Sequence, residues 1–231
     1  SFCPSCKKMI LWHQNIPIFS WLILRGKCSN CKKVISPKYP VVEAFTGILF
    51  FISITNLPSN VNIMEYIFLI LTGWGIILIL LSISIIDYYH LWIPNSIIKI
   101  AVVFGFFISV FSSIINNQNL LINIIECVIS GLLGYLIIIA IMQIGELIFK
   151  KPSMGLGDAK LTGVLGLWFG FPGVLVVIWL SFLLAGGFIV FGLISKTIFK
   201  GQLIPFGPFL SMSGFLIWLF GEDFFLRFFL N

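Results

Sequence analysis

Long apolar runs separated by short polar or Pro/Gly breaks dominate this chain. A membrane-spanning helix needs about 20 mostly apolar residues, and seven windows of that kind fit between the breaks, at 39–57, 63–87, 93–115, 120–149, 158–171, 173–195 and 203–220. The fifth is short and the fourth long, so those boundaries are the least sharply defined. Leu57-Pro58-Ser59-Asn60 and Asn116-Asn117-Gln118-Asn119 read as tight polar turns between helices. The pattern predicts an all-α polytopic membrane protein with about seven transmembrane helices.

Composition agrees with the pattern. Of 231 residues, 59% are hydrophobic and only 10% charged, with a mean hydropathy of +1.12, far from the roughly 25% charged content of a soluble domain. The net charge of +6 does not point to nucleic acid, because such a surface needs Lys and Arg clustered on a soluble face. Topology explains it better. Short cytoplasmic loops retain Lys and Arg, whereas translocated loops do not. Basic residues precede the first window (Lys7, Lys8, Arg25, Lys27, Lys32, Lys33, Lys38), flank the fourth connection (Lys150, Lys151, Lys160) and mark the sixth (Lys196, Lys200). Near Asp87 the closest is Lys99, which can snorkel back to the same face. This alternation puts the N-terminal segment, Asp87 and Asp158 on the cytoplasmic side of a lipid bilayer. Glu222, Asp223 and Arg227 then end the chain outside. The chain opens at Ser1, not Met, directly into a polar, Cys-rich segment, so a further N-terminal stretch is expected to precede it; no cleavable signal is visible.

Residues 1–38 form a separate segment, ahead of a multi-span domain at 39–231. Cys3-Pro-Ser-Cys6 and Cys28-Ser-Asn-Cys31 are each followed by Lys-Lys. Two such pairs are the ligand pattern of a tetrahedral Cys₄ zinc site, and reduced cytoplasmic thiols disfavour the alternative of two disulfides. A loop this small has too little core to fold alone, so structural Zn²⁺ would supply the missing free energy. Four thiolates leave no open position for a catalytic water. His13 reads as a surface residue and the lone Cys127 as helix packing.

Asp87 and Asp158 are the candidate catalytic residues. Taken singly, Asp87 reads as a helix-end carboxylate and Asp158 as a helix cap. However, ionisable groups beside apolar spans are costly and mark chemistry, and Gly155 and Gly157 let another backbone approach Asp158. Tyr88, Tyr89, Trp92 and Pro94 shape an interfacial rim after Asp87. Two facing carboxylates cannot both ionise easily, so they share a proton, and one activates water while the other hydrogen-bonds a scissile carbonyl. Asp158 opens a helix and Asp87 closes one, which suggests Asp158 as base and Asp87 as proton-holding partner. His90 lies within possible reach of Asp87, and Lys160 marks the cytoplasmic edge. Glu43 reads as a first-turn charge, or as a contact for a substrate amino terminus. Glu126 and Glu146 are the other acids near or within spans.

In order, these residues resemble the type IV prepilin peptidases, the prepilin leader peptidases of the Gly-x-Gly-Asp class of intramembrane aspartic proteases. The resemblance covers nearly the whole chain. It rests on the two Cys pairs, Ile35-Ser36-Pro37-Lys38-Tyr39-Pro40-Val41-Val42-Glu43, Asp87 with Ile93-Pro94-Asn95, Gly155-Leu156-Gly157-Asp158-Ala159-Lys160-Leu161, and Ile204-Pro205-Phe206-Gly207-Pro208-Phe209. It implies that Asp87 and Asp158 are the catalytic pair and that Cys3, Cys6, Cys28 and Cys31 bind zinc in a cytoplasmic loop. Eight spans are usual in the family, which adds one N-terminal helix to the seven windows. The expected substrates are prepilins or pseudopilins, whose basic leader is cut at a Gly before a hydrophobic residue on the cytoplasmic face of the bacterial cytoplasmic (inner) membrane. Many members also methylate the new amino terminus with S-adenosylmethionine, an activity the family associates with an N-terminal segment absent from this sequence. Asn95 stands where the family often has Asp.

Three other readings compete. A signal-peptide-peptidase or presenilin-type protease explains Asp158 but not the cysteines or Pro-Phe-Gly-Pro. A transporter with intramembrane acids suits paired carboxylates, but no inverted repeat is visible. A zinc-bearing membrane scaffold would need no dyad.

Overall fold

The computed structural model describes residues 1–57, 61–150, 154–199 and 201–230. Most of the turn expected at 57–60, with Lys151 and Lys200, lies outside the described residues. The described chain is helical, with no strand longer than two isolated bridges, Phe2 to Met9 and Lys27 to Val34. It divides into two compact units, Ser1–Asn56 and Leu57–Asn231.

The first unit holds a 3₁₀ turn at Trp12–Asn15, the short α1 (Phe19–Ile23) and α2 (Lys38–Thr55). Pro40 falls in the first turn of α2, where its missing N–H breaks no helical bond. The second unit contains α3 (Ile63–His90), α4 (Asn95–Ile115), α5 (Leu120–Phe149), α6 (Leu156–Ile194), α7 (Gly207–Phe220) and α8 (Glu222–Leu230). Among the described residues five helices, α2 to α6, are long and apolar enough to cross a membrane, and α7 is a shorter apolar helix. The bundle core joins Ile76, Leu80 and Ile83 of α3, Ala101 of α4, Leu161 and Leu165 of α6, and Leu210 and Ile217 of α7. Away from it the spans expose large apolar side chains such as Leu78, Val103, Leu132 and Phe191, as lipid-facing surfaces do.

The seven expected windows recur with two differences. The fifth and sixth are not separated by a loop. They are the two halves of α6, whose 39 residues would rise about 58 Å if straight, close to twice the roughly 30 Å of a hydrocarbon core. The helix breaks at Gly170, with φ 72° and ψ −177°, a conformation essentially reserved for glycine. Pro172 then starts the second half. The seventh window begins late, because residues 203–206 are not helical and belong to the site described below.

The α5 and α6 helices cross at backbone contact. Gly166 of α6 lies so near α5 that a Cβ there would sit 2.5 Å from the Ser130 carbonyl oxygen and 2.9 Å from the Gly131 Cα. Small residues permit this backbone approach, and dispersion replaces the hydrophobic drive that lipid removes. Backbone cannot move aside as a flexible side chain can, so Gly166→Ala is expected to destabilise the bundle by about 1–3 kcal/mol. Gly187→Ala, on the same helix with nothing within 4 Å of its added Cβ, is expected to leave it unchanged. Thermal midpoints in detergent check this; equal midpoints for the two variants would contradict the close crossing.

Candidate functional site

Asp87 lies three residues before the end of α3 and Asp158 in the first turn of α6. They are only 5% and 7% exposed, and both line one cavity of about 470 Å³. Burial would be costly without donors, and each carboxylate accepts one backbone N–H. The Gly155 N–H donates to Asp158 Oδ2 at 3.3 Å, closing the first turn of Asp158's own helix. The Gly207 N–H, where α7 begins, donates to Asp87 Oδ2 at 2.9 Å. A Cβ on Gly207 would stand 2.7 Å from that oxygen. Pro205 and Phe206 line the cavity, and Pro208 occupies the first turn of α7, so Pro-Phe-Gly-Pro is the turn that delivers an amide to Asp87. In the sequence the motif stands out only through the family resemblance, and its legible local signal is a helix start marked by Pro beside a glycine.

This contact removes the electrostatic ground for dividing roles by helix end. Asp158 does open a helix and Asp87 does lie near the end of one, but Asp87 also faces the N-terminus of α7. Both carboxylates therefore sit beside a positive helix end. Around them, Lys160 donates to Asn95 Oδ1 at 2.8 Å, so two cavity-lining residues bridge α6 and α4. Trp92 lines the cavity as well, while Tyr88, Tyr89 and His90 are exposed and are not among its lining residues.

In the first unit the two Cys pairs fold as repeats of one turn. Cys3 N–H donates to Lys8 O and Lys7 N–H to Cys3 O; Cys28 N–H donates to Lys33 O and Lys32 N–H to Cys28 O, all at 2.8–3.1 Å. Lys7 and Lys32 hold matching left-handed φ values of 55° and 57°. The Lys8 ammonium donates to Asn30 Oδ1 at 2.9 Å and ties one turn to the other. The four sulfurs lie within 4.8 Å of one another, and Cys3 Sγ is 3.9 Å from Cys31 Sγ, near the roughly 3.8 Å edge of a tetrahedron with 2.3 Å metal–sulfur bonds. Backbone N–H groups aimed into the turns favour three thiolates. Those of Cys6 and Ser5 lower the Cys3 thiol, that of Lys8 lowers Cys6, and those of Cys31 and Asn30 lower Cys28. The Lys33 N–H acts likewise on Cys31, but burial and the other sulfurs outweigh it and push that thiol up to about 11. A fourth thiolate here needs a cation, which suits a metal site.

The remaining candidates fall elsewhere. Glu43 is a structural clamp within the first unit, where its Oε2 accepts the N–H of Ile18 at 2.8 Å and holds a residue with φ 62°. His13 is exposed, packs edge-on against Trp12, and is not part of the cysteine cluster. The Cys127 thiol donates to Asn123 Oδ1 at 3.7 Å. Glu146 is exposed near the end of α5, and Glu126 lines a second cavity.

Two family models match the chain: Bacterial Peptidase A24 N-terminal domain over residues 1–57 and Type IV leader peptidase family over residues 74–191. Similar proteins include the prepilin leader peptidase/N-methyltransferase of Stutzerimonas stutzeri, 33% identical over 96% of this chain and 72% of that protein. Those of Neisseria gonorrhoeae (32% identical, 94% and 70% covered) and Pseudomonas aeruginosa (32%, 96% and 72%) are comparable. No solved structure matches.

The clustered thiols generate a direct check. Metal-loaded protein is expected to show its four N-terminal thiols unreactive toward maleimide, and a strong chelator or mild acid to expose them, because protonation and metal loss are linked. Full reactivity before chelation would contradict a metal site.

Proposed function

The chain belongs to the type IV leader peptidase family, and on that premise we propose that it removes the basic leader of prepilins or pseudopilins by water attack between Asp87 and Asp158. It is a multi-pass membrane peptidase of bacterial type. The observation that carries the mechanism is the meeting of the two carboxylates at one cavity, each already engaged by a backbone N–H.

The pair works with one proton between them. The ionised carboxylate takes a proton from water as the water oxygen attacks the scissile carbonyl carbon. The protonated carboxyl hydrogen-bonds the carbonyl oxygen and gives up its proton as the tetrahedral diol forms. Collapse breaks the C–N bond as the protonated carboxyl gives its proton to the leaving amine and the ionised carboxylate takes a proton from a diol hydroxyl, which restores the single shared proton. With both aspartates anchored near helix N-termini, neither is assigned permanently as base, and the dyad titrates as a unit. Basic residues beside the N-terminal segment and around the fourth and sixth connections support a cytoplasmic location for the cavity in the cytoplasmic membrane. A basic leader is retained there and an apolar stem stays in lipid, so the scissile bond falls at the interface.

Residues 1–38 serve as a cytoplasmic zinc-binding segment, with Cys3, Cys6, Cys28 and Cys31 as ligands, and 39–231 as the peptidase domain. Zinc supplies folding free energy there, not reaction chemistry. A second reading follows from the relatives' printed names, which pair leader peptidase with N-methyltransferase: S-adenosylmethionine-dependent methylation of the new amino terminus follows cleavage.

Leader removal from a prepilin, followed by gel shift in detergent, tests the reading. Asp87→Ala and Asp158→Ala are expected to abolish it without loss of protein yield; cleavage surviving either would refute the dyad. Gly207→Ala is expected to lower kcat on the order of 10²-fold with KM little changed, because it displaces a reacting group. The kcat profile of the wild type is expected to be bell-shaped in pH, and a flat profile across both limbs would count against a shared proton.

A further inference from the structure

The second unit contains another cavity, of about 650 Å³, bounded by the end of α4, the start of α5, the break in α6 and the first residue of α8. It is remote from the aspartates. Ser109 stands about 21 Å of helix rise along α4 from Asn95, and Gly170 about 18 Å along α6 from Asp158. Its described lining includes two carboxylates, Glu126 and Glu222, and no Lys, Arg or His. Glu126 is exposed and Glu222 half-buried; acids beside apolar spans are costly and mark function.

Two further observations point to a bound cation. Ser109 lines this cavity while only 3% exposed, and its Oγ has no hydrogen-bond partner. The break in α6 leaves the Trp168 carbonyl without its helical donor, since Pro172 has no N–H to return to it. That end of the first half-helix carries the negative pole of the dipole, and unwound carbonyls of this kind bind cations in other membrane proteins. Glu222 has a partial role of its own: a Cβ on Gly173 would lie 2.9 Å from its Oε2, so it rests against the start of the second half of α6. This leaves the buried Ser109 hydroxyl unexplained. Burial, with the neighbouring Asp223 charge, pushes the Glu222 carboxyl above its usual range, the direction expected of an acid without a counter-charge.

We propose that this cavity binds one hard divalent cation of the Ca²⁺ class through Glu126 and Glu222, with Ser109 Oγ and carbonyls at the α6 break completing an all-oxygen shell. Two carboxylates match a double charge, and an irregular set of oxygens in a roomy cavity suits the six to eight ligands of Ca²⁺ better than the strict octahedron of Mg²⁺. The Cys127 thiol is engaged by Asn123 and is not needed as a ligand. The bound ion ties α4, α5, the α6 break and α8 together.

The test uses the full-length protein, zinc retained, in nanodiscs of zwitterionic lipid, titrated with radioactive Ca²⁺ by equilibrium dialysis. The expected result is saturable binding of one ion per chain above empty nanodiscs, with a rise in thermal midpoint. Glu126→Gln and Glu222→Gln are each expected to weaken binding at least about tenfold, with leader cleavage retained as proof of folding. Ser109→Ala keeps both carboxylates and is expected to weaken binding several-fold, which covers the case of a Gln variant that fails to fold. No saturable binding to the wild type, equal affinity in the folded variants, or stabilisation by Na⁺ or acid but not by Ca²⁺ would overturn the proposal.

Discussion

A carboxylate taken out of water must find donors, and inside an apolar bundle the nearest donors are backbone amides at helix starts. Asp158 takes one from Gly155, in its own first turn, which requires only local folding. Asp87 takes its from Gly207, 120 residues away, so the start of α7 must be held against the end of α3. Much of the second unit follows from that requirement. Leu210 and Ile217 of α7 pack with Ile76, Leu80 and Ile83 of α3. The segment before α7 stays non-helical, and the position that meets the carboxylate has no room for a side chain.

The same constraint acts on α6. Its first turn carries Asp158, and its next turns cross α5 at backbone contact through Gly166. The aspartate is thus mounted on a helix whose position is limited by two backbones and not by flexible side chains. The break at Gly170 then ends that rigid segment about 18 Å further on, and Pro172 leaves the carbonyl of cavity-lining Trp168 without its helical donor. In the first unit, amides again do the organising. Two matched turns aim N–H groups at sulfur, and Glu43 holds the N–H of Ile18. Both units place anionic ligand atoms by backbone geometry first and charge second.

Features encoded within a few residues were readable from sequence. Apolar run length predicted the spans, and paired cysteines predicted a cluster that the folded chain brings together. Asp87 and Asp158 stand out in the sequence as charges beside apolar runs, and the structure places both at one cavity. What escaped depended on distant partners. Nothing near Gly207 names Asp87, and nothing near Glu43 names Ile18. Run length between Pro/Gly breaks misjudges continuity: Pro172 suggests a boundary between two spans, but a single glycine at φ 72° lets helix resume without a loop. The assignment of base and acid by helix end loses its ground for the same reason, because it counts each aspartate's own helix and not the helix packed against it.

The central claim is that Asp87 and Asp158 act on one reacting centre. The most direct measurement is a structure of the protein bound to a prepilin-derived peptide whose scissile amide is replaced by a hydroxyethylene group, which mimics the tetrahedral diol. The expected result is its hydroxyl within hydrogen-bond distance of both carboxylates, roughly 2.5–3.0 Å. A peptide seated elsewhere, or a hydroxyl touching one aspartate while the other faces away, would contradict the shared site.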